Sequence, residues 1–540
     1  GNTGASNFPQ ISFGANRPYQ IPNETFLGNK WQGNWVSGTY IYGDQITWTK
    51  GRHIVTIGGD FRAMQINSHS GSGLLSFNFS PDDTGAPTAP YAGQVGFGFA
   101  SMLLGQVSNA TEDTPFNLYG RRKAMSLFAQ DDFKVTPKLT LNLGLRWDIN
   151  FRLHEKYGNW ANFDLNATDP NLGIKGAIEY ANGGSDSFEK EQDWKNFGPT
   201  VGFAYNPWEK VVVRGNFGIL YVPLGMQYYE GIPYGFDPAL RGSNSAGSFN
   251  WGSGTYPGVF TPGTKSTTPD ISLFPIATVN PRSLYTGYTD NFNIGVQYEL
   301  TKTSRIDVSY IGNRGHRLQD SALNYDEPNP STFFKLFNSG HFYDQVGSAA
   351  DAAAVSAASG VNINYVPYPY SGWYYTPAYA LIAPYPQIGI GLDTYWFYPT
   401  LYYVGNNVGQ SYYNSMVVHY VKRTGHGLLA DISYTLSKDQ GDTFTNIADS
   451  YDIGLNGIQD YTNLSEAAHT LSPYDTKHVV KAGLQYELPL GHGHALLGGA
   501  GRVVNSIVSG WTISPLLTYA TGKPLSLIHI SEPTRQAEIS

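Results

Sequence analysis

The stretch LTLNLGLRW, residues 139–147, alternates strictly between two kinds of side chain. Its odd positions hold Leu, Leu, Leu, Leu and Trp, and its even positions hold Thr, Asn, Gly and Arg. Successive side chains of a β-strand point to opposite faces, so the pattern predicts a strand with one apolar and one polar face. A tilted strand needs about 9–11 residues to cross a bilayer, which is close to the length of this stretch.

The same alternation recurs along the chain, in the segments 292–300, 428–437, 480–488 and 511–519. No stretch approaches the roughly 18 consecutive apolar residues that a membrane-spanning helix requires. The sequence therefore predicts an all-β chain and excludes spanning helices.

The connections between strands alternate in length. We predict six hairpins, formed by 40–49 with 53–63, 123–135 with 139–151, 197–206 with 210–222, 290–300 with 304–313, 411–422 with 427–438, and 477–489 with 509–520. The first five have tight, turn-like joints, and the sixth has a looser connector over about 491–501. Between hairpins the chain is long, up to the segment 314–410. This alternation predicts part of a transmembrane antiparallel up-and-down β-barrel, at least 12 strands with short periplasmic turns and long extracellular loops.

Composition excludes several classes of function. Only 14% of the 540 residues are charged, against roughly 25% in soluble domains, and there is no cysteine. The absence of cysteine excludes disulfides, cysteine-bound zinc, iron–sulfur clusters and a thiol nucleophile. The 34 Lys and Arg are scattered in a chain of net charge −8, so we expect no nucleic-acid partner. No catalytic motif is present, and we expect neither an enzyme nor a cofactor or resident metal.

A soluble all-β protein, such as a propeller or a sandwich, is the competing interpretation, because its strands also alternate. The long connections and the low charge content argue against it. Aromatic residues near the predicted strand ends, where a membrane protein has its aromatic girdles, also argue against it. These residues are Trp48, Trp147, Tyr205, Tyr221, Tyr298, Tyr310, Tyr434, Tyr486 and Tyr519.

Five blocks of sequence resemble the barrel region of TonB-dependent outer-membrane receptors, specifically the Oar-like kind. They begin SLFAQDDFKVTPK (126), NFGPTVGFAYNPW (196), FNIGVQYELTKTS (292), YYNSMVVHYVKRT (412) and YDTKHVVKAGLQY (474). The segments 46–62 and 96–105 also look like those that precede the first block in that family, so the resemblance covers about 30–524. It implies a Gram-negative outer-membrane protein that binds a scarce solute and imports it with energy delivered by TonB.

The resemblance also implies partners and a domain organisation. The solute would be a siderophore, vitamin, oligosaccharide or peptide, the TonB complex would act through a plug region, and outer-membrane lipid and lipopolysaccharide would surround the barrel. Neither a plug nor a TonB box is recognisable. We expect 1–29 to be an incomplete N-terminal edge and 30–524 to be the receptor barrel region. Residues 525–540 begin LSLIHISEPTR, which a transposase adapter of sequencing libraries encodes, so we expect them not to be native.

Two sets of residues are candidates for function. Aromatic loop residues can stack on a ligand or pack together to roof the barrel, and this set comprises Tyr365, Tyr368, Tyr370, Trp373, Tyr374, Tyr375, Trp396, Tyr228, Tyr229 and Tyr234. The second set would line the lumen, holding a plug, waters or a solute path, and comprises Asp60, Arg62, Arg146, Asp148, Arg214, Glu299, Asp307 and Asp431.

Alternatives remain open for the function and for metal binding. An adhesion or export-linked barrel would bind partners at its loops, and a passive porin would have an unplugged lumen. His492 and His494 lack a third metal ligand, and Asp439, Asp442 and Asp449 do not have the spacing of a calcium loop.

Overall fold

The structure is a computed structural model. It describes residues 9–14, 26–28, 32–71, 75–113, 116–158, 160–223, 243–253, 276–279, 285–318, 326, 328–367, 376–388, 400–403, 407–425, 427–441, 469 and 471–524. Among these residues, no helix is both long and apolar enough to cross a membrane.

Six antiparallel hairpins follow one another in chain order and form one large sheet, as predicted. The last position, beside the strand 478–487, is shared by two short segments, 512–513 and 516–520, because Pro515 lacks an amide and interrupts the ladder between them. The strands are β1 Gln32–Lys50, β2 His53–Gly71, β3 Phe116–Thr136, β4 Leu139–Asn150, β5 Phe197–Trp208, β6 Val211–Tyr221, β7 Tyr288–Thr301, β8 Ser304–Leu318, β9 Gly409–Gly425, β10 Leu428–Gly441, β11 His478–Glu487, β12 Thr512–Ile513 and β13 Leu516–Ala520.

Several strands extend beyond their predicted limits at the long-loop end. The first hairpin pairs without a break from Lys50 opposite His53 to Gln32 opposite Gly71, well past the predicted 40–49 and 53–63. The added residues include Asn67, Ser68 and Ser70, which do not alternate with apolar side chains. Backbone pairing holds a strand whether or not one face is apolar, so hydrophobic alternation marks only the part that faces lipid.

The register places polar and apolar side chains on opposite faces of the whole sheet. Asp60 lies opposite Ser126, which lies opposite Asp148, along the polar face. One residue away, Leu127 lies opposite Trp147, which lies opposite Phe197, along the apolar face. By the same registers, all nine aromatic residues predicted for the girdles lie on the apolar face.

Aromatic side chains mark two levels of the apolar face. Near the long loops, the rings of Trp147 and Phe197 stack with centroids 5.5 Å apart, and the rings of Tyr221 and Tyr288 lie 5.6 Å apart. Tyr298 lies near the short turn at the other end of β7. The strand between Tyr288 and Tyr298, tilted by about 40°, rises about 25 Å, which is the height of the apolar band of an outer-membrane barrel.

The described sheet is open. Strand β1 pairs only with β2, and β12 and β13 pair only with β11, so the two edges do not meet within the described part of the chain.

The long connections carry small structures of their own. One helix begins after Ser348, whose side chain accepts the Asp351 amide, and ends at Gly360, whose φ is +67°. The helices are α1 Gly98–Leu103, α2 Pro330–Asn338, α3 Ala349–Ser359 and α4 Arg502–Val508, with 3-10 turns at Pro81–Thr84, Trp251–Ser253, Ala378–Ile382 and Pro386–Ile388.

Five short strands, four of them before residue 114 and one at 243–246, form a second sheet beyond the wall, around Phe13, Phe77 and Phe79. These strands are Gln10–Ser12, Phe26–Leu27, Leu75–Asn78, Asn109–Asp113 and Ser243–Ala246. The remaining short strands are Gln106–Val107 with Phe249–Asn250, His154–Glu155 on β3, Ala161–Thr168 with Lys175–Tyr180, and Ile276–Val279 with Thr400–Tyr403.

A charge on the apolar face of β7 should destabilise the sheet in lipid. Ile294 lies in the middle of the apolar band and is 51% exposed, so Ile294→Arg should lower the free energy of unfolding in vesicles by about 2–4 kcal/mol. Its neighbour Asn293 faces the other way, and Asn293→Arg should cost much less. Urea unfolding in phospholipid vesicles measures both, and equal losses would contradict the assignment of faces.

Candidate functional site

All eight residues predicted to line the lumen lie on the polar face. The registers of the nine strands from β2 to β10 link them to one another through directly opposed residues. Their common face therefore follows from backbone pairing.

Five side chains on β2, β3 and β4 form a connected charged cluster. The Arg146 guanidinium donates from Nη2 to Asp60 Oδ2 at 3.2 Å and to Ser126 Oγ at 2.7 Å. Its Nε donates to Asp148 Oδ1 at 2.9 Å, and Arg62 Nε donates to Asp60 Oδ1 at 2.8 Å. Ser126 Oγ also donates to Asp60. Two carboxylates and two guanidiniums thus balance each other, and we call Asp60, Arg62, Ser126, Arg146 and Asp148 the luminal ion cluster.

The luminal ion cluster borders a cavity of about 250 Å³. Thr39 and Ile41 of β1 line one side of the cavity, and Leu220 and Val222, at the long-loop end of β6, line another. Strand β5 lies between β4 and β6 in the sheet, so residues on both sides of it can share a cavity only if the sheet curls toward its polar face. The polar face is therefore the concave one in this region.

The other four predicted luminal residues lie apart from the cluster. His419 Nε2 and Asp431 Oδ1 are 2.9 Å apart, and Asp307 lies directly opposite His419 on the neighbouring strand. Arg214 is exposed and Glu299 lies opposite Arg305. Sequence reasoning missed His419 because Met416, Val417 and Val418 make both faces of β9 apolar, so alternation did not assign its side chain to a face.

The loop 319–408 docks on the loop 151–196. Gln387 is fully buried, and its Nε2 donates to the carbonyls of Lys175 at 2.7 Å and Gly176 at 2.9 Å. The Tyr385 ring meets the Phe163 ring edge-on with centroids 5.5 Å apart. Gly176 has φ +98°, and a Cβ there would lie 2.4 Å from the Phe163 ring and 2.6 Å from Gln387 Nε2. Only glycine fits at this contact.

A buried carboxyl of the same loop positions Tyr385 for this contact. Asp326 Oδ1 accepts a hydrogen bond from the Tyr385 amide at 2.7 Å. Burial raises the pKa of Asp326 well above its usual range, and the amide hydrogen bond opposes that rise only in part. Burial therefore shifts Asp326 toward its neutral form relative to an exposed carboxyl.

The loop 319–408 has a hydrophobic core of its own. Leu336 of α2 and Val355 of α3 pack with Phe342 and Ala378, and Ile174 from the loop 151–196 packs against the same core. Tyr365, one of the predicted ligand-binding aromatics, also packs against this core. Tyr365 is therefore half-buried against this core.

The other predicted ligand-binding aromatics, and two of the possible calcium ligands, lie outside the described residues. Among the described residues, no three His, Asp or Glu side chains are grouped closely enough to hold a metal ion. The undescribed candidates are Tyr228, Tyr229, Tyr234, Tyr368, Tyr370, Trp373, Tyr374, Tyr375, Trp396, Asp442 and Asp449, together with the segment 525–540.

The family model of the outer membrane β-barrel domain matches residues 1–537. The chain belongs to this family. The predictions of an antiparallel transmembrane barrel fold and of an outer-membrane location are therefore confirmed, and the soluble alternative is excluded. No curated protein matches the sequence.

Solved outer-membrane proteins are similar in structure at low sequence identity. The outer membrane transporter YddB from Escherichia coli is 8% identical, with a TM-score of 0.40 over 90% of this chain and 47% of that one. The ferripyoverdine receptor of Pseudomonas aeruginosa is 9% identical, with a TM-score of 0.36 over 92% and 42%. The alcaligin receptor FauA from Bordetella pertussis is 9% identical, with a TM-score of 0.30 over 91% and 55%. The chain spans about half the length of these structures.

Removing the central guanidinium of the luminal ion cluster should destabilise the barrel wall. Arg146→Met leaves the partly buried Asp60 and Asp148 without their shared partner, and we expect a loss of about 1–2 kcal/mol, limited by the exposure of the site. Arg214→Met is the matched control, since Arg214 lies on the same face and forms no ion pair among the described residues. Urea unfolding in detergent compares them, and losses of the same size would show that the cluster adds nothing.

A methyl group at Gly176 should separate the two loops. Gly176→Ala adds a clash and backbone strain, together about 2–4 kcal/mol, and should speed proteolysis within 151–196 without changing unfolding of the wall. Gly173→Ala is the control, because Gly173 has φ +70° with nothing within 4 Å of the added Cβ. If both variants are cleaved at the same rate, strain alone explains the effect and the docking contact has no role.

Docking should weaken as pH rises. A carboxyl whose pKa is higher in the docked state stabilises docking most at pH values below its ordinary pKa of about 3.9. This stabilisation is lost as pH rises through the pKa that the carboxyl has in the docked state. Hydrogen exchange in the hairpin 161–180, corrected for intrinsic pH dependence, should therefore become faster with rising pH. Asp326→Asn should abolish that trend, and a trend that persists in the variant would refute the assignment.

Proposed function

We propose that the chain is the barrel wall and extracellular loops of a TonB-dependent receptor that binds and imports a scarce solute. The five sequence blocks that resemble the Oar-like receptors support the assignment. The observation that carries it is the luminal ion cluster, because paired carboxylates and guanidiniums on a concave face suit a lumen filled by water, a plug or a solute.

The partners follow from this assignment. TonB would act through the plug region of the parent protein, and the solute would be a siderophore, vitamin, oligosaccharide or peptide. The luminal ion cluster would hold polar groups of the plug, since both carboxylate and guanidinium groups are available there. Nucleic acid, a cofactor and catalysis have no part in this function.

Loop aromatics would provide the ligand contacts. Tyr365 belongs to the core of the loop 319–408, so we assign it to support, and we assign the contact role to the remaining candidates. Trp373→Ala and Tyr374→Ala should then weaken solute binding more than Tyr365→Phe does. The docking contact at Gln387 and Gly176 would set the distance between the two loops at the entrance.

Adhesion is the second candidate, since the loop 319–408 has its own hydrophobic core and can present a fixed surface to a partner. A passive porin is the third, and it requires an open lumen.

Uptake by the full-length protein separates these functions. The complete gene, recovered by long-read sequencing through both ends of this sequence, should be expressed in otherwise identical hosts with and without TonB. Uptake of labelled ferric siderophore, cobalamin, maltodextrin and short peptides should reveal a solute that accumulates only with TonB. Vesicles that contain the purified receptor should not swell in sugar solutions.

Each alternative has its own result. Swelling in sugars together with uptake independent of TonB would indicate a porin. Binding of cells or proteins without uptake of any solute, in a protein whose gene encodes no plug, would indicate adhesion.

A further inference from the structure

The connection between β11 and β12 differs from the other connections at the short-turn end of the wall. Five of the six hairpins close with two residues between their strands, as with Gly51 and Arg52 between β1 and β2. In the sixth, β11 ends at Glu487 and β12 begins at Thr512, and the residues between them include the helix α4. The short-turn end of the wall therefore carries one helix that a hairpin does not need.

A polar side chain holds α4 against its own connection. Asn505 Oδ1 accepts a hydrogen bond from the His492 amide at 2.6 Å. A Cβ on Gly491 would lie 2.6 Å from the same oxygen, so the helix and the segment 491–492 are in close contact. Arg502 and Ser506 lie beside Asn505 around the helix, because successive helical residues are about 100° apart. These three residues form the polar side of α4.

The apolar side of α4 points away from the protein. Val503, Val504 and Ile507 lie around the helix on the side opposite Asn505, and their exposed fractions are 76%, 47% and 65%. A helix on the surface of a soluble protein has the reverse arrangement, with its apolar side toward the core and its polar side outward. We call Val503, Val504 and Ile507 the apolar helix face.

The end of α4 is attached to the apolar face of the wall. The Leu488 amide donates to the Trp511 carbonyl at 2.9 Å, one residue beyond the register that places Tyr486 opposite Ile513. Trp511 is two residues from Ile513 and therefore lies on the same, apolar face. Its indole nitrogen donates to the Ile507 carbonyl at 2.6 Å. The last turn of α4 is thus bound to a side chain on the lipid side of the wall.

This attachment lies at the level of the aromatic girdle near the short turns. Tyr486 lies directly opposite Leu428, the first residue after the turn between β9 and β10, and the Glu487 amide donates to the Gly427 carbonyl of that turn at 2.9 Å. Trp511 is exposed and lies two residues closer to the periplasm than Ile513. Aromatic girdles lie at the headgroup level of a membrane, so α4 begins where the acyl region ends.

We propose that α4 is an interfacial helix that lies in the periplasmic leaflet of the outer membrane. The apolar helix face would enter the boundary between headgroups and acyl chains, and Arg502 and Ser506 would remain among headgroups and water. Continuity with the wall identifies lipid as the occupant, because Trp511 joins the apolar helix face to the lipid-facing surface that contains Ile513. The proposal depends on the membrane location of the wall, and it holds whether or not the barrel imports a solute.

The chain contains no cysteine, so single cysteines can report the surroundings of each side of α4. The variants Val503→Cys and Ile507→Cys each carry one nitrobenzoxadiazole fluorophore, in the full chain reconstituted into vesicles of phosphatidylethanolamine and phosphatidylglycerol. A phospholipid with a nitroxide near the top of its acyl chain should quench both labels at least about twofold more than a label on Ser506→Cys. Iodide on both sides of the vesicle should quench the three labels in the opposite order. Ser506→Cys is the matched control, since Ser506 is exposed on the polar side of the same helix.

Three results would overturn the proposal. Equal quenching of all three labels by the nitroxide lipid would show that neither side of α4 prefers the membrane. Quenching of the labels at 503 and 507 by iodide but not by the lipid would place the apolar helix face in water. Shielding of these two labels from both quenchers would assign the face to a protein partner or to a second copy of the chain. Circular dichroism checks that each variant is folded, and Val504→Cys with Arg502→Cys as its control replaces any pair that is not.

Discussion

The backbone ladder between neighbouring strands is the constraint on which the rest of this structure depends. Hydrocarbon offers no partner to an amide or a carbonyl, so each strand that crosses the membrane must pair with its neighbours along its length. Pairing fixes the register, and the register fixes which side chains face lipid. A shift of one residue in β4 would move Leu143 and Leu145 into the lumen and Arg146 into the bilayer.

The same register assembles the luminal ion cluster. Asp60, Ser126 and Asp148 come from three strands and lie in one row across the sheet, so Arg146 can reach all three from a single position. On the opposite face, the same alternation that points Leu127 at lipid places Lys123 and Arg121 at the long-loop end of β3.

Strand pairing does not determine the structure of the long loops, because water can hydrogen-bond to their backbone groups. Their sequences therefore need no alternation of polar and apolar residues. Their order comes from small hydrophobic cores and from single contacts such as that between Gln387 and the carbonyl of Gly176. The contact brings together residues more than two hundred positions apart in the chain. Nothing local in the sequence indicated which loop α3 would lie against.

The sequence by itself determined the fold class, the six hairpins, the face of every predicted luminal residue and the face of the nine aromatic residues predicted for the girdles, because these depend on a period of two and on turn residues, which are local properties. The girdle prediction was wrong for Tyr310, which lies directly opposite Ile294 in the middle of the apolar band. Only the tertiary structure decided that Arg146 bridges Asp60 and Asp148, that His419 approaches Asp431, that Tyr365 packs in a loop core, and that Gly176 must lack a side chain. These facts depend on the register between strands and on contacts between loops. Composition and alternation fix the faces of a strand, but they carry no information about which residue of a distant segment lies opposite.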